Sequence, residues 1–272
     1  MKGLEFALAL AGFGYNDAAW NFQGYGFGTD DNKEGTHPWT TFPLQYVVIK
    51  HPEAGIIMYD VGLGMGEDKD RRPWEHRQMN PVTLDRSQYV DETLKKLGCS
   101  VDDVSAIIIS HCHWDHIGGL EFFKGTKAIK NVYVPEKDFA YGLVHSHVNS
   151  IGYSDALYYR QNMDVEGADF KLLDEDIELF PGVELITLEG HSPCVLGLIL
   201  HLESGNYIFP SDACTAKVCF SGEYLPGTIY DSLGYQRALK RLRKLQKELN
   251  AEMIFQHDPW SYKNYRYGEW IA

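Results

Sequence analysis

The sequence predicts a mixed α/β (α+β) fold, two β-sheets with helices outside them, as a single domain over residues 1–272. Three observations carry this. Short apolar runs rich in β-branched and aromatic residues recur in both halves, separated by turn signals. One long amphipathic pattern, at 232–250, reads as a helix packed on a sheet. No linker-like stretch divides the halves, so the strands share one architecture.

The elements follow in order. Leu4 to Gly12 reads as a first strand leading into a turn at Gly12-Phe13-Gly14-Tyr15. Leu44 to Lys50 and Gly55 to Tyr59 form a strand pair across the polar turn His51-Pro52-Glu53-Ala54. Residues 62–87, rich in Gly, Pro, Arg and Asp without a period, read as a long functional loop. Gln88 to Leu97 is helical and stops at Gly98. Val104 to Ile109 is a strand buried on both faces. Ile117 to Phe123 is a short helix, Asn131 to Pro135 a strand and Glu136 to Tyr141 a helical turn. Residues 142–168 have no regular pattern and read either as a lid or substrate wall or as an ordinary surface excursion. Phe170 to Leu173, Ile177 to Phe180, Val183 to Thr187, Val195 to Leu202 and Tyr207 to Phe209 are strands. Ser232 to Asn250 is a helix with a Leu239, Leu242, Leu245, Leu249 stripe, and Glu252 to Phe255 is a last strand.

Composition narrows the function. A net charge of -13 repels phosphate backbones and acidic leaflets, so neither nucleic acid nor membrane is an expected partner. Five cysteines with no C-x-x-C pair argue against a disulfide framework and for a reducing compartment. The apolar start is short and interrupted by Glu5, and no stretch approaches the roughly 20 apolar residues of a membrane span, so the expected location is the cytoplasm.

The chemistry concentrates in His111-Cys112-His113-Trp114-Asp115-His116, with four candidate ligands in six residues. If the chain stays extended, His111, His113 and Asp115 share one face, and a tight turn brings His116 beside Asp115. Imidazoles with a carboxylate suit zinc, and also iron or manganese. Burying such a run at a strand end without a cation would leave several polar groups to satisfy. Further candidates stand at other strand ends: His191, Asp212, His257 and Asp60. Taken singly these are ordinary core or turn residues. His37, His51, His76 and His201 carry no such signal, and nothing else supports a metal at the His145, His147 pair.

The run His111-Cys-His-Trp-Asp-His116-Ile-Gly-Gly, followed in order by His191, Asp212 and His257 with Asp60 early on, resembles the H-x-H-x-D-H signature of the metallo-β-lactamase fold superfamily. The resemblance implies a four-layer αββα sandwich with its site along one edge. It implies that His111, His113 and His191 hold one metal, that Asp115, His116 and His257 hold a second, and that Asp212 bridges them. Within the superfamily the chain is most similar to the N-acyl homoserine lactonase and pyridoxolactonase-like group. Two departures stand out. Those lactonases carry a Tyr three residues after the bridging Asp, where this chain has Thr215, and their T-P-G-H segment is here Ser192-Pro193-Cys194-Val195.

The expected function is hydrolysis of an ester bond, foremost in a lactone, by a hydroxide shared between two divalent ions, zinc first. Asp115 and Asp212 are the candidate catalytic carboxylates, Asp115 as ligand or as proton carrier. Asp60 is expected to orient a ligand His through its free ring nitrogen. Thr215 and Tyr224 are candidate substrate contacts, with Tyr224, Tyr153 or Tyr158 in place of the absent Tyr. The expected partner is a small-molecule ester or lactone, and homodimerisation stays open. The competing readings are a glyoxalase II-like thioesterase, against which the acidic balance argues, a di-iron oxidative enzyme, and a non-catalytic metal module.

Overall fold

The computed structural model describes residues 1–148 and 157–272. Seven strands form the first sheet: β1 (Glu5–Asp17), β2 (Trp39–His51), β3 (Gly55–Tyr59), β4 (Val82–Thr83), β5 (Val104–Ile108), β6 (Val132–Pro135) and β7 (Phe170–Leu173). Their spatial order is β4-β1-β2-β3-β5-β6-β7. β1, β2 and β3 form an antiparallel meander, and β3, β5, β6 and β7 run parallel. The second sheet holds β8 (Ile177–Phe180), β9 (Val183–Leu188), β10 (Val195–His201), β11 (Asn206–Phe209) and β12 (Glu252–Met253), ordered β12-β11-β10-β9-β8. The helices are α1 (Ala18–Asn21), α2 (Trp74–Met79), α3 (Val90–Lys96), α4 (Trp114–Ile117), α5 (Glu136–His147), α6 (Arg160–Met163), α7 (Lys217–Ser221) and α8 (Ser232–Leu249).

The period of two in the strands builds the layers. Phe6, Leu8, Val47, Ile49, Ile57, Tyr59, Ala106 and Ile108 face the second sheet and meet Leu185, Leu196, Leu198 and Phe209. Their neighbours Tyr46, Val48, Met58, Ile107 and Ile109 face the other way, onto Val90 and Leu94 of α3 and onto Leu120 and Phe123. On the far side, Ile186, Leu188, Val195 and Ile199 pack against Tyr235, Ala238, Leu239 and Leu242 of α8. The order helix, sheet, sheet, helix is the expected αββα sandwich. β5 is covered on both faces, which is why its sequence is apolar apart from Ser105, whose hydroxyl donates to the Ile56 carbonyl at 2.9 Å.

Four local expectations are corrected. β1 does not turn at Gly12 but bulges there and continues to Asp17. Gly12 has φ 130, and a Cβ there would lie 2.6 Å from the Thr83 carbonyl oxygen, so the bulge needs glycine. Residues 62–87 contain α2 and β4, the latter paired to Phe13 and Gly14 of β1. These pieces are too short to show a period. The turn expected at Glu136 to Tyr141 extends to His147 as α5. The last strand is limited to Glu252–Met253, paired parallel to β11.

Candidate metal centre

The strand directions bring four C-terminal ends to one edge of the sandwich. β3 delivers Asp60 and β5 the 111–116 run, while β9 and β11 deliver His191 and Asp212 and the segment after β12 delivers His257. The shared-face reading of His111, His113 and Asp115 is corrected. Extended backbone ends at His113 and α4 begins at Trp114, so Asp115 and His116 sit on its first turn. The 3-10 helix Gly118–Phe123 that follows α4 runs close beneath the β3 end: a Cβ on Gly119 would lie 2.2 Å from the Val61 carbonyl oxygen.

All seven metal-ligand candidates converge. His113 Nδ1 lies 3.0 Å from His111 Nε2 and 3.1 Å from His191 Nε2. His257 Nε2 lies 3.3 Å from His116 Nε2 and 3.7 Å from Asp115 Oδ2. Asp212 stands between the groups, with Oδ2 3.2 Å from His191 Nε2 and Oδ1 3.0 Å from His257 Nε2. Ligand atoms of His111, His113 and His191, and separately of Asp115, His116 and His257, lie close enough to share one ion.

Hydrogen-bond partners set the tautomers. The Ser110 hydroxyl donates to Asp60 Oδ2 at 2.9 Å, so at 3.0 Å it accepts from His111 Nδ1–H. His116 Nδ1–H donates to Asp60 Oδ2 at 2.8 Å, and His257 Nδ1–H to the Pro43 carbonyl at 2.8 Å. In the neutral rings this leaves the Nε2 lone pairs of His116 and His257 facing each other. Such an arrangement repels unless a proton or a cation lies between. Asp212 Oδ1 and His191 Nδ1 are buried and form no hydrogen bond. Converging lone pairs with a buried, unpaired carboxylate oxygen are a donor set that fits divalent transition metals.

Electrostatics divides the two groups. Burial, then the neighbouring imidazoles, hold His111 well below the usual histidine range, and burial with His191 does the same for His113. For His116 burial opposes the charged ring, but Asp115, Asp60 and Asp212 outweigh it and raise the pKa. His257 is likewise raised by Asp212 and Asp115 against burial. Burial pushes Asp212 up, yet His257, His191 and His116 together hold it well below the carboxylate range.

The sequence matches the metallo-beta-lactamase superfamily over residues 39–257. The chain belongs to that superfamily. It is 32% identical to the N-acyl homoserine lactonase AiiB of Agrobacterium fabrum, over 79% of each chain. It is 31% identical to AiiB of Rhizobium rhizogenes, over 74% of this chain and 75% of the relative. A Bacillus thuringiensis AiiA mutant with N-decanoyl-L-homoserine bound at its active site superposes with a TM-score of 0.82 over 100% of both chains, at 23% identity.

Second-layer polar groups hold this metallo-beta-lactamase-fold site rigid. Asp60 has no exposed surface and also accepts from Ser110 N–H at 2.7 Å and Gln256 Nε2 at 3.3 Å. Gln256 exchanges amide contacts with Gln45 of β2. Asp138, absent from the sequence-derived set, accepts from Cys112 N–H at 2.7 Å and from the Tyr158 hydroxyl at 2.6 Å. It therefore ties α5 to the His111–His113 segment, and the Tyr158 ring packs 4.8 Å from His113.

The cavity beside the cluster is walled by Trp114, Leu157, Phe42, Asn80, Thr215 and Thr228 among others. Thr215 is where the sequence places it. Tyr224 instead packs on Phe22 and Tyr25, outside the lining residues, and Tyr158 commits its hydroxyl to Asp138. Tyr153 lies outside the described residues. The 62–87 and 142–168 segments meet: His76 Nδ1 lies 2.8 Å from the Tyr159 hydroxyl, and Arg71 reaches Asn162.

Beneath that wall Glu67 is fully buried beside Arg71 and Arg72, and Arg72 stacks 4.0 Å from the Trp114 ring. Burial outweighs both arginines and raises the Glu67 carboxyl to about 7. A carboxyl that is harder to ionise when folded binds more protons in the native state, so its contribution falls as pH rises from its unfolded value toward 7. Relative to Glu67→Gln, the wild type should lose about 2 kcal/mol of stability between pH 5 and pH 8, a figure of the size expected for a shift of roughly two units. Parallel urea titrations of both proteins measure it, and identical pH profiles would refute the assignment.

Proposed function

We propose that the chain is a dinuclear metal-dependent hydrolase that opens lactones of the acyl homoserine lactone kind. The observation that carries this reading is Asp212, whose two oxygens divide between a three-histidine group and an Asp-His-His group. It is supported by the N-acyl homoserine lactonases among the relatives and by the N-decanoyl-L-homoserine seated in a structural neighbour. His111, His113 and His191 would hold one cation, Asp115, His116 and His257 the other, and Asp212 both. Zinc is the proposed metal, and the same donors accept iron or manganese. Bound there, two divalent ions supply Lewis acidity toward an ester carbonyl and lower the pKa of water to about 7.

The chain's own groups do the rest. Asp60 locks the His116 ring and Pro43 locks that of His257, so the donor atoms need no reorganisation. Phe42, edge-on to His257 at 5.7 Å, and Trp114 keep bulk water from the donors. Water adds across the acyl carbon–oxygen bond, the hydroxyl going to carbon and the proton to the departing ring oxygen. Asp115, on the cavity wall, is the proton carrier. Among the described residues no helix is long and apolar enough to cross a membrane, and the five free cysteines favour the cytoplasm.

The test is a panel of γ-lactones, simple esters, thioesters and a β-lactam, run on metal-loaded protein with metal content measured on the same sample. The expected result is about two metals per chain and preferential lactone opening. Preferential thioester cleavage would move the protein to the glyoxalase II-like class. No hydrolysis at full metal loading would end the hydrolase reading.

A further inference from the structure

A second cavity adjoins the metal centre, and the chemistry proposed above makes no use of it. It shares His113 and His191 with the first cavity, but Asp115, Asp212 and His257 line the first alone. Its volume is 210 Å³ against 60 Å³ for the first, so a bulky substituent fits here and not beside the carboxylates. Three tyrosines carry its wall. The Tyr158 ring meets His113 edge-on, at 75° and 4.8 Å. Tyr141 meets Tyr158 at 64° and 5.6 Å, and Tyr230 meets Tyr141 at 76° and 5.4 Å. The series runs from a metal-ligand candidate out to the surface, where Tyr230 is 56% exposed.

The surrounding backbone holds these rings in place. Gly142 stands inside α5, where glycine is a poor helix former, and a Cβ there would lie 2.6 Å from Tyr158 Cδ1. Glycine therefore lets the Tyr158 ring lie against the helix, and Asp138 fixes its hydroxyl. Tyr230 N–H donates to the Gly190 carbonyl at 2.7 Å, and Gly227 N–H to the Asn21 carbonyl at 3.2 Å. The 227–230 stretch is thus tied at one end to α1 and at the other to the residue before His191. A wall fixed in advance loses little freedom when a ligand enters, which favours selective binding. An aromatic guest extends the edge-to-face series, which a saturated group of the same size cannot do. Plain apolar burial has the opposite preference, because the saturated group has the larger apolar surface.

We infer that this second cavity receives an aromatic acyl substituent, which makes the preferred substrate an arylacyl lactone rather than one with a saturated acyl group, and that Tyr141 and Tyr230 are the specificity-determining residues. This rests on the lactone reading above. The experiment uses the full chain loaded with zinc. It compares two α-acylamino-γ-butyrolactones, one carrying a 3-phenylpropanoyl group and the other a 3-cyclohexylpropanoyl group, alike in length and carbon count. In the wild type kcat/KM should favour the phenyl compound by about fivefold, the size expected of an edge-to-face pair. In Tyr230→Leu the ratio should fall to one or below, and Tyr141→Leu should act in the same direction. In Tyr230→Phe, which keeps the ring, it should stay near the wild-type value. Each ratio is taken on one preparation, so a general loss of activity cancels. Tyr230 lies at the surface, so its replacement decides the matter if Tyr141→Leu does not fold. A wild-type ratio of one or below overturns the inference, as does a ratio that Tyr230→Leu leaves unchanged. Opening of neither lactone by protein carrying its full metal complement overturns the lactone reading itself, a result distinct from an unchanged ratio.

Discussion

His113→Ala should bind no more than one ion per chain and open lactones at least about a thousandfold more slowly than wild type, as expected when a ligand that activates water is removed. His113 Nδ1 is the atom from which both other imidazoles of its group are within 3.1 Å. Alanine leaves His111, His191 and one Asp212 oxygen, one donor short of a four-coordinate protein set. The ring also packs on Tyr158 and His191, so a cavity is left behind. Metal analysis and turnover measured on the same folded preparation separate these effects. Wild-type turnover with a single bound ion would remove the two-metal scheme.

Asp60→Ala carries the second large effect, on stability as much as on metal affinity. One carboxylate with no exposed surface holds Ser110 N–H, the Ser110 hydroxyl, His116 Nδ1 and Gln256 Nε2. Removing it leaves these donors buried and unmatched, which should destabilise the fold by about 3–5 kcal/mol. Asp60 also has φ 61, a left-handed conformation that Asp and Asn tolerate and that disfavours alanine by roughly 1–2 kcal/mol. Asp60→Asn keeps the backbone preference and one acceptor oxygen, so it should fall between wild type and alanine. With the His116 ring no longer oriented, metal affinity should drop by about 10–100-fold. Urea unfolding and chelator competition measure the two effects. A change below about 1 kcal/mol in Asp60→Ala, the size typical of a surface site, would show that the network does not hold the site.

The metal-donor candidates were legible because their chemistry is out of place. A dense run of imidazoles and a carboxylate, and later a lone His191, Asp212 or His257, each follow an apolar strand that has no other use for them. The groups that hold them were not legible. Ser110, Asp138, Gln45 and Gln256 are ordinary polar residues, and Gln45 meets Gln256 across 211 residues of chain. Asn80 and Glu67 sit in a segment without a period, which read as a loop because α2 and β4 are each shorter than the window that reveals one. Tyr158 and Tyr224 looked like equivalent candidates for a missing hydroxyl. What sets them apart is a partner, Asp138 for one and an aromatic cluster for the other, and a partner is not a property of a single residue.

By itself the sequence determined the strands other than β4, the stripe on α8 and the identity and order of the metal-donor candidates, because alternation, helical period and residue chemistry are written within a few neighbouring positions. Only the tertiary structure decided that α4 starts at Trp114 and turns Asp115 and His116 inward, and that Asp212 offers one oxygen to each histidine group. It alone decided that the side-chain oxygen of Asn80 is left unpaired near them. Those facts are distances between strand ends far apart in the chain, and they exist only once two sheets have packed and brought the ends to one edge.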